Sequence, residues 1–211
     1  MSAWNLKQCL CPACNRMSNR FKALSKKLNT PEKVQKFLRE MTYNNEKGGE
    51  TLRSASEALR RKTAHCLEAA FLAAAILENL GYQPLVMSLE SIDDLDHVIF
   101  VYKKNGKWGS VARSRDEGLH GRRPVYRSVR ALALSYYESY IDKTGCITGY
   151  QIANLDDSKS DWRNSSKNVW KAERFLIDLK HESIKFNKRR YASIHKRYLR
   201  GTSARRKPSW L

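Results

Sequence analysis

The sequence predicts an α+β fold, with a central apolar helix packed on a small antiparallel sheet and further helices before and after it. Three observations predict this. The stretch 64–80 carries Leu67, Ala70, Phe71, Ala74, Ala75, Leu77 and Leu80 and keeps almost no polar face, as expected of a buried helix. The runs 97–103 and 107–114 flank Asn105-Gly106, the strongest short signal for a two-residue hairpin turn. Apolar residues recur at helical spacing on both sides of this unit, as Val34, Phe37, Leu38 and Met41, and as Val169, Ala172, Leu176 and Leu179.

Each element has its local cause. Thr30 is placed to cap a helix whose first residue is Pro31, and Ser54 with Glu57 forms the pattern of a capping box opening a short helix to about residue 61. Thr63 is the expected N-cap of the 64–80 helix, and Gly81 supplies its left-handed stop. Strands are expected over 84–89, 97–103 and 107–114. The basic stretch 118–123 reads as a loop, and 125–140 as a helix with Val125, Val129, Leu132 and Tyr136 on one side. Residues 145–166 are polar and turn-rich and read as a loop. The expected organisation is an N-terminal cysteine-containing arm over 1–27, a domain over 28–184 and a basic, helical tail over 185–211.

The chemistry-bearing residues are Cys66 and His97. In the first turn of a helix, free backbone N–H groups and the positive end of the dipole stabilise a thiolate, and a nearby imidazolium adds to this. If Asn105 and Gly106 are the loop residues, Lys104 pairs with Lys107. Counting back along the ladder then sets Ser114 opposite His97 and Asp116 one diagonal step beyond. Ser114 and Asp116 are therefore the candidates to orient His97. His65 and Glu68, which flank Cys66, are expected to cap or salt-bridge the helix start. For an oxyanion, the Cys66 N–H is one donor, and Asn45 or Tyr43, from a polar-aromatic cluster ahead of the turn at Gly48-Gly49, is the candidate for the second.

The segments Lys62 to Ala70, Asp96 to Phe100 and Gly106 to Gly109 together resemble the core of the transglutaminase-like superfamily of cysteine enzymes, which share a papain-like fold. From Cys66 to Tyr140, including Arg123 to Tyr137, the chain is similar to a group of small bacterial transglutaminase-like proteins, with a looser match beginning near Leu28-Asn29-Thr30-Pro31. The resemblance implies a cysteine nucleophile at Cys66 and a histidine base at His97. In the superfamily pattern an aspartate stands four residues after the hairpin tryptophan, where this chain has Ala112.

The composition limits the remaining possibilities. The sequence shows neither a signal-peptide pattern nor a run long enough to span a membrane, and its five cysteines are an odd number, so a disulfide framework is not expected and a cytoplasmic location is. Cys9, Cys11 and Cys14 have spacing that thiolate zinc ligands can use, with Cys146 or a histidine as fourth ligand. A structural site normally shows two separated ligand pairs, so no metal and no cofactor are assigned. The formal charge of +19 is uneven: from 185 to 207 the chain carries Lys and Arg with no Asp or Glu. There Lys188, Arg189, Arg190, Lys196, Arg197 and Arg200 are candidates for phosphate contact, and Tyr191, with Phe186, Tyr198 and Trp210, for base stacking. The alternative is a solvated tail whose rings pack back on the domain.

Three function classes fit. The first, preferred, is a Cys66 hydrolase or acyltransferase acting on amide or peptide bonds of a protein or peptide substrate through a thioester. The second is a catalytically inactive transglutaminase-like module that binds RNA, the ribosome or another polyanion through its tail. The third is a zinc-supported interaction protein resting on Cys9, Cys11 and Cys14.

Overall fold

A computed structural model describes residues 12–206 of the chain. The first part is helical: α1 (Pro12–Lys27) and α2 (Pro31–Glu40), then a two-residue strand β1 (Thr42–Tyr43), α3 (Ala55–Arg61), β2 (Thr63–Ala64) and α4 (Cys66–Leu77). Next come β3 (Leu85–Ser91), β4 (His97–Lys104), β5 (Lys107–Val111), β6 (Arg122–Tyr126), α5 (Val129–Leu134), α6 (Tyr137–Tyr140) and β7 (Ile147–Asn154). The described chain closes with α7 (Trp170–Ile177), β8 (Glu182–Ser183) and α8 (Lys188–Leu199). The fold is α+β. One antiparallel sheet runs in the order β6-β5-β4-β3-β7-β8, and β1 pairs with β2 in a separate parallel ribbon.

Local signals set several boundaries. Thr30 caps α2 through its side chain with Pro31 at the first position, and Ser54 caps α3 by accepting from Glu57 N–H. Asn105 and Gly106, both at positive φ, turn the hairpin with Lys104 opposite Lys107. Gly81 stops the turn after α4 at φ 86°.

Elsewhere tertiary partners override the local reading. The third strand, expected to reach 114, ends at Val111 because the buried Gln35 amide takes both backbone groups of Ala112, donating to its carbonyl and accepting from its N–H at 2.9 Å each. The expected 125–140 helix is instead β6 followed by two short helices. Residues 122–126 pair with the β5 edge, and Ser128 caps α5 by accepting from Ala131 N–H at 3.1 Å. The expected loop 145–166 contains β7, which pairs along the whole of β3. Gly149 lies inside this strand, where an added Cβ would meet His181 Cβ at 3.0 Å and the far end of the flexible Glu90 side chain at 2.6 Å.

Strand alternation divides the sheet between two cores. Val86, Val98, Phe100 and Tyr102 face α1 to α4 and α7, whereas Met87, Leu89, Ile99 and Val101 face α5, α6 and α8. α4 is buried along its length, as its composition requires. The expected boundaries at 27/28 and 184/185 do not separate packing units. Phe21 of α1 is buried in the first core, and Ile194 of α8, 2% exposed, is buried in the second.

Candidate active site

The site forms where the start of α4 meets the start of β4. Thr63, expected to cap the helix, lies instead in β2, paired with β1, and His65 takes the cap: its Nδ1 accepts from Leu67 N–H at 3.3 Å. Glu68 completes a capping box by accepting from His65 N–H at 3.1 Å. This carboxylate is fully buried. It also accepts from Arg53 N–H at 2.9 Å and Asn44 Nδ2 at 3.1 Å, which binds the loop after β1 to the helix start. Both flanking residues thus act on the helix start, and Glu68 holds the wall of the site as well.

Cys66 is the first residue of α4 and partly exposed, so its N–H belongs to the group that has no partner within the helix. Burial alone would raise its thiol. Hydrogen bonds and positive charge from His65 and His97 outweigh that and hold it well below the ordinary thiol range. Burial likewise would lower His65, yet the adjacent Cys66 sulfur and the Glu68 carboxylate raise it to about 9. The contacts to Leu67 N–H and to the Thr51 carbonyl, 3.0 Å from Nε2, describe the neutral ring; protonation gives up the first of them.

His97 is 4% exposed at the first position of β4, opposite Leu89 and edge-on to Tyr136. Its Nε2 lies 2.9 Å from the backbone carbonyl of Leu119. A carbonyl only accepts, so Nε2 carries the proton, and Nδ1 is the nitrogen left for the Cys66 proton. The orienting group is therefore main chain. Neither Ser114 nor Asp116 fills that role as expected, because the ladder stops at Val111 before reaching them. Ser114 accepts from Asp116 N–H at 3.3 Å, and Asp116 is ion-paired with Arg205 at 2.7 Å. Ala112, where the resemblance would have an aspartate, is a buried core residue.

Of the oxyanion candidates, Tyr43 lines the cleft with Cys66, and burial together with the sulfur's charge raises its hydroxyl, keeping the O–H as a donor. Asn45 is turned away: it is exposed, and its Nδ2 donates to the Tyr43 carbonyl at 3.4 Å. The cleft encloses about 550 Å³, and Ser114, Asp116, Leu119 and Arg205 also border it. Cys146 is a different kind of cysteine, fully buried in the second core with its thiol raised by that burial.

The basic tail candidates divide in two. Arg190 lies over the Tyr137 ring at 4.6 Å and Arg197 pairs with Glu138 at 2.7 Å, whereas Lys188, Arg189, Lys196 and Arg200 are exposed. The aromatic residues stack on one another, Phe186 on Tyr191 at 5.4 Å, Tyr191 on His195 at 5.5 Å and His195 on Tyr198 at 6.3 Å, so Tyr191 is already engaged. Cys9, Cys11 and Trp210 lie outside the described residues, as does the side chain of Cys14. Among the described residues no group of His, Cys, Asp or Glu is arranged to hold a metal ion, and no helix is long and apolar enough to cross a membrane.

Residues 13–108 match a family described as a transglutaminase-like domain. The match runs from α1 through Trp108 in β5 and includes both Cys66 and His97. The chain matches no curated protein.

Proposed function

We propose, from the match of residues 13–108 to a transglutaminase-like domain, that the chain is a cysteine hydrolase or acyltransferase acting on amide bonds. The observation that carries the reading is a partly exposed helix-N-terminal thiol held low by two imidazoles at the base of a cleft. The Cys66 thiolate attacks the substrate carbonyl carbon. The oxygen that becomes negative accepts from the Cys66 N–H and the Tyr43 O–H. His97, protonated at Nδ1, gives that proton to the leaving nitrogen as the C–N bond breaks, leaving a thioester on Cys66. Water then attacks the thioester, His97 takes its proton, and the acid and the free thiolate are released. An amine in place of water gives acyl transfer by the same steps. Water reaches a partly exposed thiol without a dedicated path, which favours hydrolysis.

The test is the pH dependence of iodoacetamide alkylation at Cys66, read by mass spectrometry in the wild type, with Cys146 as the buried internal reference. Rapid labelling at about pH 6, lost in His97→Ala, is the expected result, because the reagent attacks only thiolate. Labelling that rises only near the ordinary thiol pKa of about 8.5 in both proteins would remove the mechanism.

A second reading, polyanion binding by α8, is favoured by one observation: the exposed and strongly basic surface of Lys188, Arg189, Lys196 and Arg200. It is compatible with the first and does not need Cys66.

A further inference from the structure

The charge around Cys66 is opposite to that of the molecule. The chain holds 40 Lys and Arg against 21 Asp and Glu, yet Arg115 and Arg205 are the lysine or arginine residues that border the cleft among the described residues. Carboxylates border it on both sides. Glu46, Glu50 and Glu173 stand on the side of His65, and burial together with repulsion from Glu50 and Glu46 raises the Glu173 carboxyl. Asp93, Asp94 and Asp96 stand on the β3–β4 turn, ahead of His97. None of these six makes an ion pair within the described residues, although the protein has a large excess of cations. Like charges lining one cleft repel one another, and a cationic ligand relieves that repulsion.

Two further observations indicate what kind of cation fits. The first is apolar surface among the carboxylates. Trp170 and Ile177 line the cleft from the same face of α7 as Glu173, Leu95 lines it from the β3–β4 turn, and all three are exposed, at 39%, 66% and 62%. Lysine and arginine present this combination, an apolar stem for Leu95 or Ile177 and a cationic head for a carboxylate or the face of Trp170. A bare metal ion does not, and the described acids are not arranged to hold one. The second is Arg205, whose cationic head already sits between carboxylates at the cleft. Its side chain is 15% exposed at the cleft wall, and its guanidinium lies 2.7 Å from Asp116 and 3.0 Å from Asp142 and donates to the Tyr140 carbonyl at 2.8 Å. Arg205 thus pairs with two of the cleft's carboxylates, and the six others have no ion pair among the described residues. Glu46, Asp93 and Asp96 accept hydrogen bonds from Thr51, Ser91 and Thr144, and no hydrogen bond within the described fold engages the Glu50, Asp94 or Glu173 carboxylate.

We propose that the Cys66 cleft selects cationic peptide segments, with lysine or arginine side chains on either side of the amide that Cys66 attacks. The proposal rests on the catalytic reading for the bond that is attacked, but not for binding. Trp170, Glu173 and Ile177 of α7 lie outside residues 13–108, whereas Glu46, Glu50, Asp93, Asp94, Leu95 and Asp96 lie within them, so the selective surface joins the matched region to the chain beyond it.

The test measures binding by fluorescence anisotropy of labelled nine-residue peptides to full-length Cys66→Ala, so that it stands whether or not catalysis occurs. Three peptides share an apolar frame and differ at four positions, all lysine and arginine, all glutamine, or all glutamate. The expected result is at least a tenfold tighter Kd for the cationic peptide than for the glutamine peptide. That preference falls about tenfold in the combined variant Glu50→Gln, Asp94→Asn, Glu173→Gln, whose folding is checked by its unchanged thermal midpoint. Nonspecific attraction to a +19 protein would give the reverse order, so tighter binding of the glutamate peptide overturns the proposal. So does cationic binding that the three substitutions leave unchanged. Calcium or magnesium chloride binding to the wild type by calorimetry, abolished in the combined variant, would assign the carboxylates to a metal and also overturn it. Failure of the alkylation test with the cationic preference intact would reject the nucleophile alone.

Discussion

Replacing His65 with asparagine separates the two roles of that ring, because asparagine still caps a helix but brings no positive charge to Cys66. In His65→Asn the alkylation profile of Cys66 is expected to move up in pH while fast labelling still depends on His97. A profile unchanged from the wild type would reduce His65 to a cap. The same ring links stability to pH. Its pKa rises from an ordinary 6.5 to about 9 in the folded protein, so its stabilising contribution is complete below about pH 6.5 and is lost as pH rises through about 9. A urea midpoint that declines over that interval in the wild type, and less in His65→Asn, is the expected result. At this scale the sequence exposes Cys66 and His97, because a thiol and an imidazole are side-chain identities. Leu119 is invisible as the orienting group because every residue has a carbonyl, and which one meets His97 depends on how the 3₁₀ turn Glu117–Leu119 packs.

Among the elements, α8 shows most directly that the described part of the tail is not an appendage. Ile194 is 2% exposed in the second core, so Ile194→Ala is expected to cost about 2–5 kcal/mol in urea denaturation. A free tail would lose almost nothing. The elements legible in advance are those closed by neighbours in sequence: the α2 and α3 caps, the Asn105-Gly106 hairpin and the apolar α4. β7 and β6 are not, since their partners β3 and β5 lie far away or across a bulge. The end of β5 is a third case, decided by Gln35 from α2, whose amide no pattern near Ala112 announces.

Over the whole molecule, charge is segregated, with a basic exterior around an acidic cleft. If α8 binds RNA or another polyanion, it does so through phosphates, because its rings stack on one another and Arg190 and Arg197 serve the fold. Replacing Lys188, Arg189, Lys196 and Arg200 together by glutamine is then expected to flatten the slope of log affinity against log salt by about 3 for single-stranded RNA, at about 0.7 per lost contact. An unchanged slope would place the binding elsewhere. The uneven charge was legible from the sequence as a basic tail. The acidic cleft was not, because Glu46, Asp94 and Glu173 are brought together by the fold from three separate segments.

The Glu68 capping box makes Cys66 chemistry a property of the folded state. The carboxylate gathers donors from Asn44, Arg53 and His65, so the helix start, the cleft wall and the histidine beside the sulfur come into place together. An unfolded chain holds none of them, and its Cys66 titrates as a free cysteine at about 8.5. Cys146 behaves in the opposite way, sealed in the native core and released on unfolding. The described residues therefore include two thiols in antiphase: the Cys66 thiol is held low only while the chain is folded, and the Cys146 thiol is released from the core only once it is not. Their ratio of modification is a built-in gauge of how many molecules are native.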